Sequence, residues 1–475
     1  MRYFLLIFNS LFLVACNNIY SPSEPVPSPL PTHSSSITQD ALQHATEFRK
    51  PAPLTAKERQ MAQIAWRYFE NNYQAKTGFV NAVQDYPSVT MWDAGSYLGG
   101  LMAAQMLDLI DATEFDDRLT TLLTTLSKLD LFRGELPNKV YHTQTTEKVN
   151  YANQPGEIGF SALDLGRMLI LFKIIKLRYP APKYADLIDS FVLRWNFCNM
   201  IDKNGMMFGA HLNDQQQTVY VQEGRLGYEE YAAKGFQLWG FKTPQASKVE
   251  PYKTVSIYDI DIPYDSRDPR ELVAHNYVVT ESYVLDALEL NWNTIIPKSP
   301  VNAQHTDTFM LDFAKRVYAV QEARYRQTGI FTARTEHQLD SDPYFVYDTI
   351  YTDGFPWNTI TETGKNVPQF SAVALKGALG LWAVWDTPYT NSLFNFIAEK
   401  HDPTKGFYEG VYEDGRGVIQ TFTSNNNGIM LEGLLYKTMG HLLAFDALQN
   451  PPEGLWEKTL KTDAEKVGKQ CLTGH

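Results

Sequence analysis

Cysteine is nearly missing from this chain. Three residues in 475 are too few for a disulfide framework, and they lack the spacing of zinc ligands. H-E-x-x-H, a P-loop, G-x-G-x-x-G after a strand and G-x-S-x-G are also missing, which argues against zincins, P-loop enzymes, dinucleotide-binding dehydrogenases and α/β-hydrolases. Basic charge is in deficit, with 42 Lys and Arg against 54 Asp and Glu, and the net charge of −12 repels phosphate backbones and anionic lipid. Nucleic acid is therefore not an expected partner. YDIDIPYDSRD carries aspartates at 259, 261, 265 and 268 but has neither the glycine nor the closing glutamate of a calcium loop, so no metal and no cofactor are assigned.

What is present is a composition that folds: 44% hydrophobic and 20% charged residues can bury a large core. One main domain is expected, because helical toroids and barrels run long as single units, and a monomer is expected with it. Aromatics are plentiful, with 27 Tyr, 26 Phe and 9 Trp. Most fill the core, and some can stack on the apolar faces of sugars.

The N-terminus MRYFLLIFNSLFLVAC has one basic residue, an apolar run too short to cross a bilayer, and then Leu13-Val14-Ala15-Cys16. That ending resembles a bacterial lipobox. The expectation is a signal peptide over residues 1–15, an acylated Cys16 and a cell-envelope lipoprotein, with Asn17 pointing to the periplasmic face of the outer membrane. An ordinary secretory signal is the alternative. Residues 16–53 are rich in Pro and Ser and read as a solvated tether that can reach on the order of 100 Å from the bilayer. Cys198 and Cys471 are left free or paired.

From residue 54 to 450 helical patterns dominate, and 451–475 reads as a tail. Several segments, such as AGSYLGGLMAAQML, are apolar or small on nearly every side, which marks a buried inner helix. Short aromatic, Gly-punctuated pieces such as GMMFGAH, YFVYDTIYTDG and KGFYEGVYEDG lie between them and read as hairpins or extended loops on one face. Acids recur at or near helix starts at Asp93, Glu157, Glu230, Glu281, Asp353 and Glu432, roughly 50 to 80 residues apart, which suits six helix pairs. The predicted fold is mainly α, an (α/α)6 toroid in which inner-helix ends bring distant acids to one cavity.

Within QEGRLGYEEYAAKGFQLWG, a helix begun near Tyr228 puts Glu230 opposite Lys234 as an ordinary i, i+4 pair. Glu229 faces Ala232, Ala233 and Phe236, where an acid has little structural reason beyond the helix N-terminus. Burial and the neighbouring charge of Glu223 can raise a carboxyl there toward the range of a general acid. Asp164 and Arg167, three apart, can pair inside an apolar helix that Glu157 precedes. Asp93 suits an N-cap or a sugar contact, and Asp353 suits a turn. Glu432 sits among Gly428, Ile429, Leu435 and Tyr436, a setting that raises a buried carboxyl.

The stretches MWDAGSYLGGLMAAQMLDLI, FSALDLGRMLI, EGRLGYEEYAAKGFQLWG, VVTESYVLDALEL, YFVYDTIYTDGFPW and GFYEGVYEDGRGVIQTFTSNNNGIMLEGLLYK together resemble the bacterial glucoamylase-like family catalogued as domain of unknown function 3131. The similarity runs from about Leu54 to Leu448. It implies kinship with (α/α)6 glycoside hydrolases such as endo-β-1,2-glucanases, whose acid follows Tyr-x-Glu at an inner-helix start. Tyr228, Glu229 and Glu230 match that pattern, which makes Glu230 the implied proton donor and Glu229 its nearest competitor. Asp164, Glu281 and Glu432 remain candidates for the base. Asp93, Arg225, Tyr228, Phe345, Tyr347 and Trp357 are expected to hold the sugar, with Glu157, Arg167, Glu223, Asp353 and Asn426 also lining the cleft. The expected activity is inverting hydrolysis of an envelope or capsular glucan-like poly- or oligosaccharide. The alternatives are a silent glycan-binding or export-accessory toroid, and a lyase or epimerase on an acidic polymer. That last option requires basic residues in the cleft beyond Arg167 and Arg225.

Overall fold

The computed structural model describes residues 35–267, 276–295 and 304–462; the signal segment, Cys16 and Cys471 lie outside the described residues. Helices α1 (Ser35–His44) and α2 (Ala56–Asn72) lead into alternating inner and outer helices. The inner α3 (Met91–Met106) is followed by α4 (Ala112–Lys128) outside it, and α5 (Ala162–Arg178) by α6 (Pro182–Val192). Next come the inner α7 (Tyr228–Leu238) and α8 (Glu281–Leu285), the latter prolonged by a π-helical turn over Asp286–Leu290. Outer α9 (Thr308–Thr328), inner α10 (Leu375–Val384), outer α11 (Pro388–Ile397), inner α12 (Ser424–Met439) and the short α13 (Leu455–Thr462) complete the order.

The six inner helices pack in sequence, and α12 returns to α3, closing the ring of an (α/α)6 toroid. Their apolar surroundings follow from their composition, since α10 (LKGALGLWAV) is buried at every position. Small residues set the spacing. A Cβ built on Gly235 of α7 would lie 2.0 Å from the Gly166 carbonyl of α5, so that crossing needs a residue without a side chain. Between α7 and α8 the described chain forms a β-hairpin, Tyr252–Ile257 with Ile260–Asp265, packed on α9 where the alternation calls for an outer helix.

Short strands immediately precede several inner helices. Ser88–Thr90 pairs with Val140–His142 before α3, and Gly159–Phe160 lies beside Phe208–Leu212 before α5. Thr218–Gln222 precedes α7, and Ala372–Ala374 precedes α10. These strands gather at the helix N-termini, where Thr90, Ser161 and Thr423 accept backbone N–H groups as caps.

Two boundaries move outward from the sequence reading. Residues 35–53 do not extend as a solvated tether, because α1 lies against α9 and buries Thr38 and Ala41. The C-terminal tail contributes α13, whose Trp456 is buried against Trp239, Phe197 and Phe241. Cys198 is disulfide-bonded, its partner lying outside the described residues.

Candidate active site

The floor of the site is a buried ionic network where the inner helices meet. Arg167 of α5, with no exposed surface, donates to Ser96 Oγ at 2.7 Å and approaches Glu289 and Glu432 at 3.4 Å each, with its guanidinium over the Trp92 ring. Tyr231 donates to Glu289 at 2.5 Å, and Glu289 lies near enough to Glu432 for its charge to act on it. Burial raises both acids, and the charge of Glu289 raises Glu432 further, while Arg167 opposes the shift in each. Ser96 passes the chain to Asn425 at 2.8 Å, and Asn425 donates to Glu281 at 2.9 Å. Glu281 also accepts the Trp92 indole N–H at 3.1 Å and lies 2.5 Å from Lys376 of α10.

Above this floor stand carboxyl groups that keep part of their surface open while enclosed on most sides. Asp164, in the first turn of α5, accepts the Ser161 hydroxyl at 3.1 Å. Burial, with the charge of Glu223, pushes its carboxyl up to about 7. Glu223 is itself raised by burial and accepts the Ala162 N–H at 2.5 Å. Asp93, in the first turn of α3, is pushed by burial up to about 6 against the Thr90 hydroxyl bonded to it at 2.6 Å. Glu336, on the loop after Arg334, accepts the Tyr228 hydroxyl on one oxygen and the Thr335 hydroxyl at 2.8 Å on the other. Burial and the charge of Glu281 raise it, and Lys376 opposes.

An aromatic ladder runs along the same wall. Trp92 meets Tyr228 edge-on at 5.5 Å, Tyr228 meets Tyr277 at 6.3 Å, Tyr277 stacks on Tyr347 at 4.8 Å, and Phe345 meets Tyr347 edge-on at 5.3 Å. Tyr277 and Tyr347 both feel the charges of Glu223 and Glu336, so the ladder lies close to both acids. Aromatic faces beside proton-exchanging carboxyls are what recognition and acid/base cleavage of a sugar require.

Of the residues named from the sequence, the structure brings Asp93, Asp164, Glu223, Tyr228, Glu281, Phe345 and Tyr347 together. Others stand elsewhere. Glu230 folds back so that its carboxylate accepts the Gly227 N–H at 2.7 Å as the helix cap, and burial, then Glu229, raises it well above its usual range. Lys234 does not meet Glu230 and instead pairs with Asp286 at 2.6 Å and Asp307 at 3.0 Å. Glu229 is held by Arg267 at 2.7 Å and Gln222 at 2.9 Å, and burial, opposed by Arg267, brings it up to about 7. Arg167 pairs with Glu289 and Glu432 and makes no ion pair with Asp164. Glu432 is deep in α12, away from the helix start.

Trp357 lies under Arg324 beside Tyr258, and Asp353 sits in a left-handed turn whose N–H is taken by Asn276. Asn426 is fully buried and spent on backbone groups of Lys376, Phe407 and Tyr408. Glu157 pairs with Lys148 at 2.6 Å and lies 3.5 Å from Arg133. Sequence reasoning missed Glu336, Tyr277, Lys376 and Glu289. ARTEHQLD, which carries Glu336, resembles neither a helix start nor a hairpin, and Lys376 hides in an apolar run.

A closed ring of six inner helices with this acid and aromatic cleft over one end defines a toroid of the glucoamylase-like class. The chain belongs to the family described as protein of unknown function DUF3131, whose profile matches residues 60–440. No curated protein sequence matches the chain. Among solved structures it is similar to an endo-β-1,2-glucanase from Chitinophaga pinensis in complex with sophorotriose and glucose, at 12% identity and TM-score 0.52, covering 88% of this chain and 98% of that one. It is also similar to a candidate glucoamylase from Bacteroides fragilis at 12% identity and TM-score 0.57, covering 88% and 99%. A third likeness is to an endo-β-1,2-glucanase from Talaromyces funiculosus with sophorose, at 12% identity and TM-score 0.51, covering 92% and 90%. At such identity these likenesses are likenesses of fold.

Proposed function

We propose that this protein is a lipid-anchored glycoside hydrolase of the cell envelope, acting on a glucan or capsular polysaccharide. The observation that carries the reading is that two acid groups, Asp164 with Glu223 and Glu336 with Tyr228, stand near the stacked Tyr277 and Tyr347 rings. Asp164 is the proton donor. Its carboxyl is poised near neutrality, where an acid both holds a proton and releases it readily. Glu336 is the base that draws a proton from water, its carboxylate fixed by two hydroxyl donors and its basicity raised by burial and Glu281. Glu230, the donor implied by resemblance, serves in this proposal as the helix cap. With Asp164 as donor and Glu336 acting through water, the proposed reaction inverts at the anomeric carbon.

The experiment is incubation of the full-length protein with a panel of bacterial glucans, β-1,2-linked polymer included, with reducing ends and product anomer followed. Asp164→Asn and Glu336→Gln are each expected to lower kcat by about 10³, and Glu230→Gln to stay within a few-fold. Binding without turnover on every polymer would leave a glycan-binding toroid in place of an enzyme. In the same proposal Cys16 carries the acyl chains at the periplasmic face of the outer membrane, and Cys16→Ser is expected to release the protein from membranes.

A further inference from the structure

The wall beside Tyr277 holds an arginine whose neighbouring acids are bonded to another arginine. Arg225 is 2% exposed, and its Nη1 donates to the Gln222 side chain at 3.1 Å and to the Gly224 carbonyl. Its Nε and Nη2 are buried without a hydrogen-bond partner. Two acids lie close by, but Arg267 takes both, through Nε to the two Asp265 oxygens at 3.0 Å and through Nη2 to Glu229 at 2.7 Å. A buried guanidinium left this way is unfavourable, and proteins rarely keep one unless an anion completes it. The fork of Nε and Nη2 is the edge that grips a carboxylate or phosphate through two parallel bonds. Gln222 and Tyr277, both partly open to solvent, flank the group, and Tyr277 belongs to the aromatic ladder. Arg267 and Lys376 are basic groups at the site beyond the two arginines read from the sequence.

We infer that Arg225 forms a subsite for an anionic group on the saccharide, a carboxylate or a phosphate, so that the preferred polymer is an acidic or acid-substituted glycan. This rests on the reading of the cleft as a saccharide site. It deepens that reading by stating the charge of the substrate.

Calorimetric titration of the full-length protein with glucose, glucuronic acid and glucose 6-phosphate separates the two anion sources from the neutral sugar. The wild type is expected to bind one of the anionic sugars at least tenfold more tightly than glucose, with the preference shrinking as salt rises. Arg225→Met is expected to abolish the preference, and Arg225→Lys, which keeps the charge but loses the fork, to retain only part of it. Equal affinity for all three sugars in the wild type, or a preference that survives Arg225→Met, overturns the inference. Inorganic phosphate is the control without a sugar. It is expected to raise the melting temperature of the wild type and not of Arg225→Met, and an equal effect on both also counts against the subsite. Because this control involves neither sugar nor turnover, it separates failure of the subsite from failure of the hydrolase reading.

Discussion

Two buried arginines less than a helix apart in the ring are treated oppositely. Arg167 on the floor lies among Glu289, Glu432, Ser96 and Asn425, and the fields of Tyr231 and the two glutamates outweigh the burial that works against its charge. Arg225 in the wall has amide and carbonyl neighbours, and burial followed by repulsion from Arg267 lowers its proton affinity. Each guanidinium nitrogen of Arg167 has a hydrogen-bond partner, and two of the three on Arg225 have none. A site that must be rigid completes its hydrogen bonds internally, whereas a site that receives a ligand leaves some for the ligand to complete.

The sharpest way to break this comparison is to truncate both arginines. Arg167→Met strands the buried acids and is expected to destabilise the fold by about 3–5 kcal/mol, read from urea unfolding. Arg225→Met removes a cation with no carboxylate partner and is expected to change stability by about 1 kcal/mol or less without an anion. Equal losses would mean that the wall arginine is as structural as the floor one. Glu432 sharpens the contrast next. Glu432→Ala opens a polar cavity beside Arg167 and is expected to cost about 2–4 kcal/mol, whereas Glu432→Gln, which keeps the shape of the side chain, is expected to cost about 1 kcal/mol.

The smallest effect is on pH dependence. Asp164, Glu229 and Asp93 bind their protons more tightly folded than unfolded, to about 7, 7 and 6. In that window the native state therefore holds more protons than the unfolded chain, so stability falls as pH rises from about 4 toward 7. Melting temperatures across that range are expected to decline, and Asp164→Asn to flatten part of the decline. A curve that rises through the window would contradict the buried, proton-holding character of these acids.

The toroid was legible because several segments are apolar on nearly all sides, which places them at the centre, and acids recur at intervals that suit six helix pairs. The hairpin over Tyr252–Asp265, which stands where an outer helix was expected, was not legible, since nothing in a single strand pair announces which layer it replaces. In the site, the acids read at helix starts include Asp93 and Glu281, which stand at the cleft, and also Glu157, which pairs with Lys148 away from it. The same rule misplaced Glu432, which lies mid-helix, and overlooked Glu336 on a loop. The i, i+4 rule failed at Glu230 and Lys234. The glutamate turned back to cap its own helix, and the lysine found two aspartates that are more than 50 residues away in sequence. Helical periodicity describes neighbours within one segment, and this site is made by the meeting of six.

Gly99 of α3 shows what that meeting does to the passage of a polymer. A methyl group there would lie 2.0 Å from Glu432 Oε1, so α3 and α12 close on the carboxylate with no room to spare, while Arg167, Tyr231 and Glu289 fill the axis beside it with no exposed surface. The toroid therefore has no bore. A glycan cannot thread it as a strand threads a ring. In the proposed function it lies across one mouth and leaves by the side it entered.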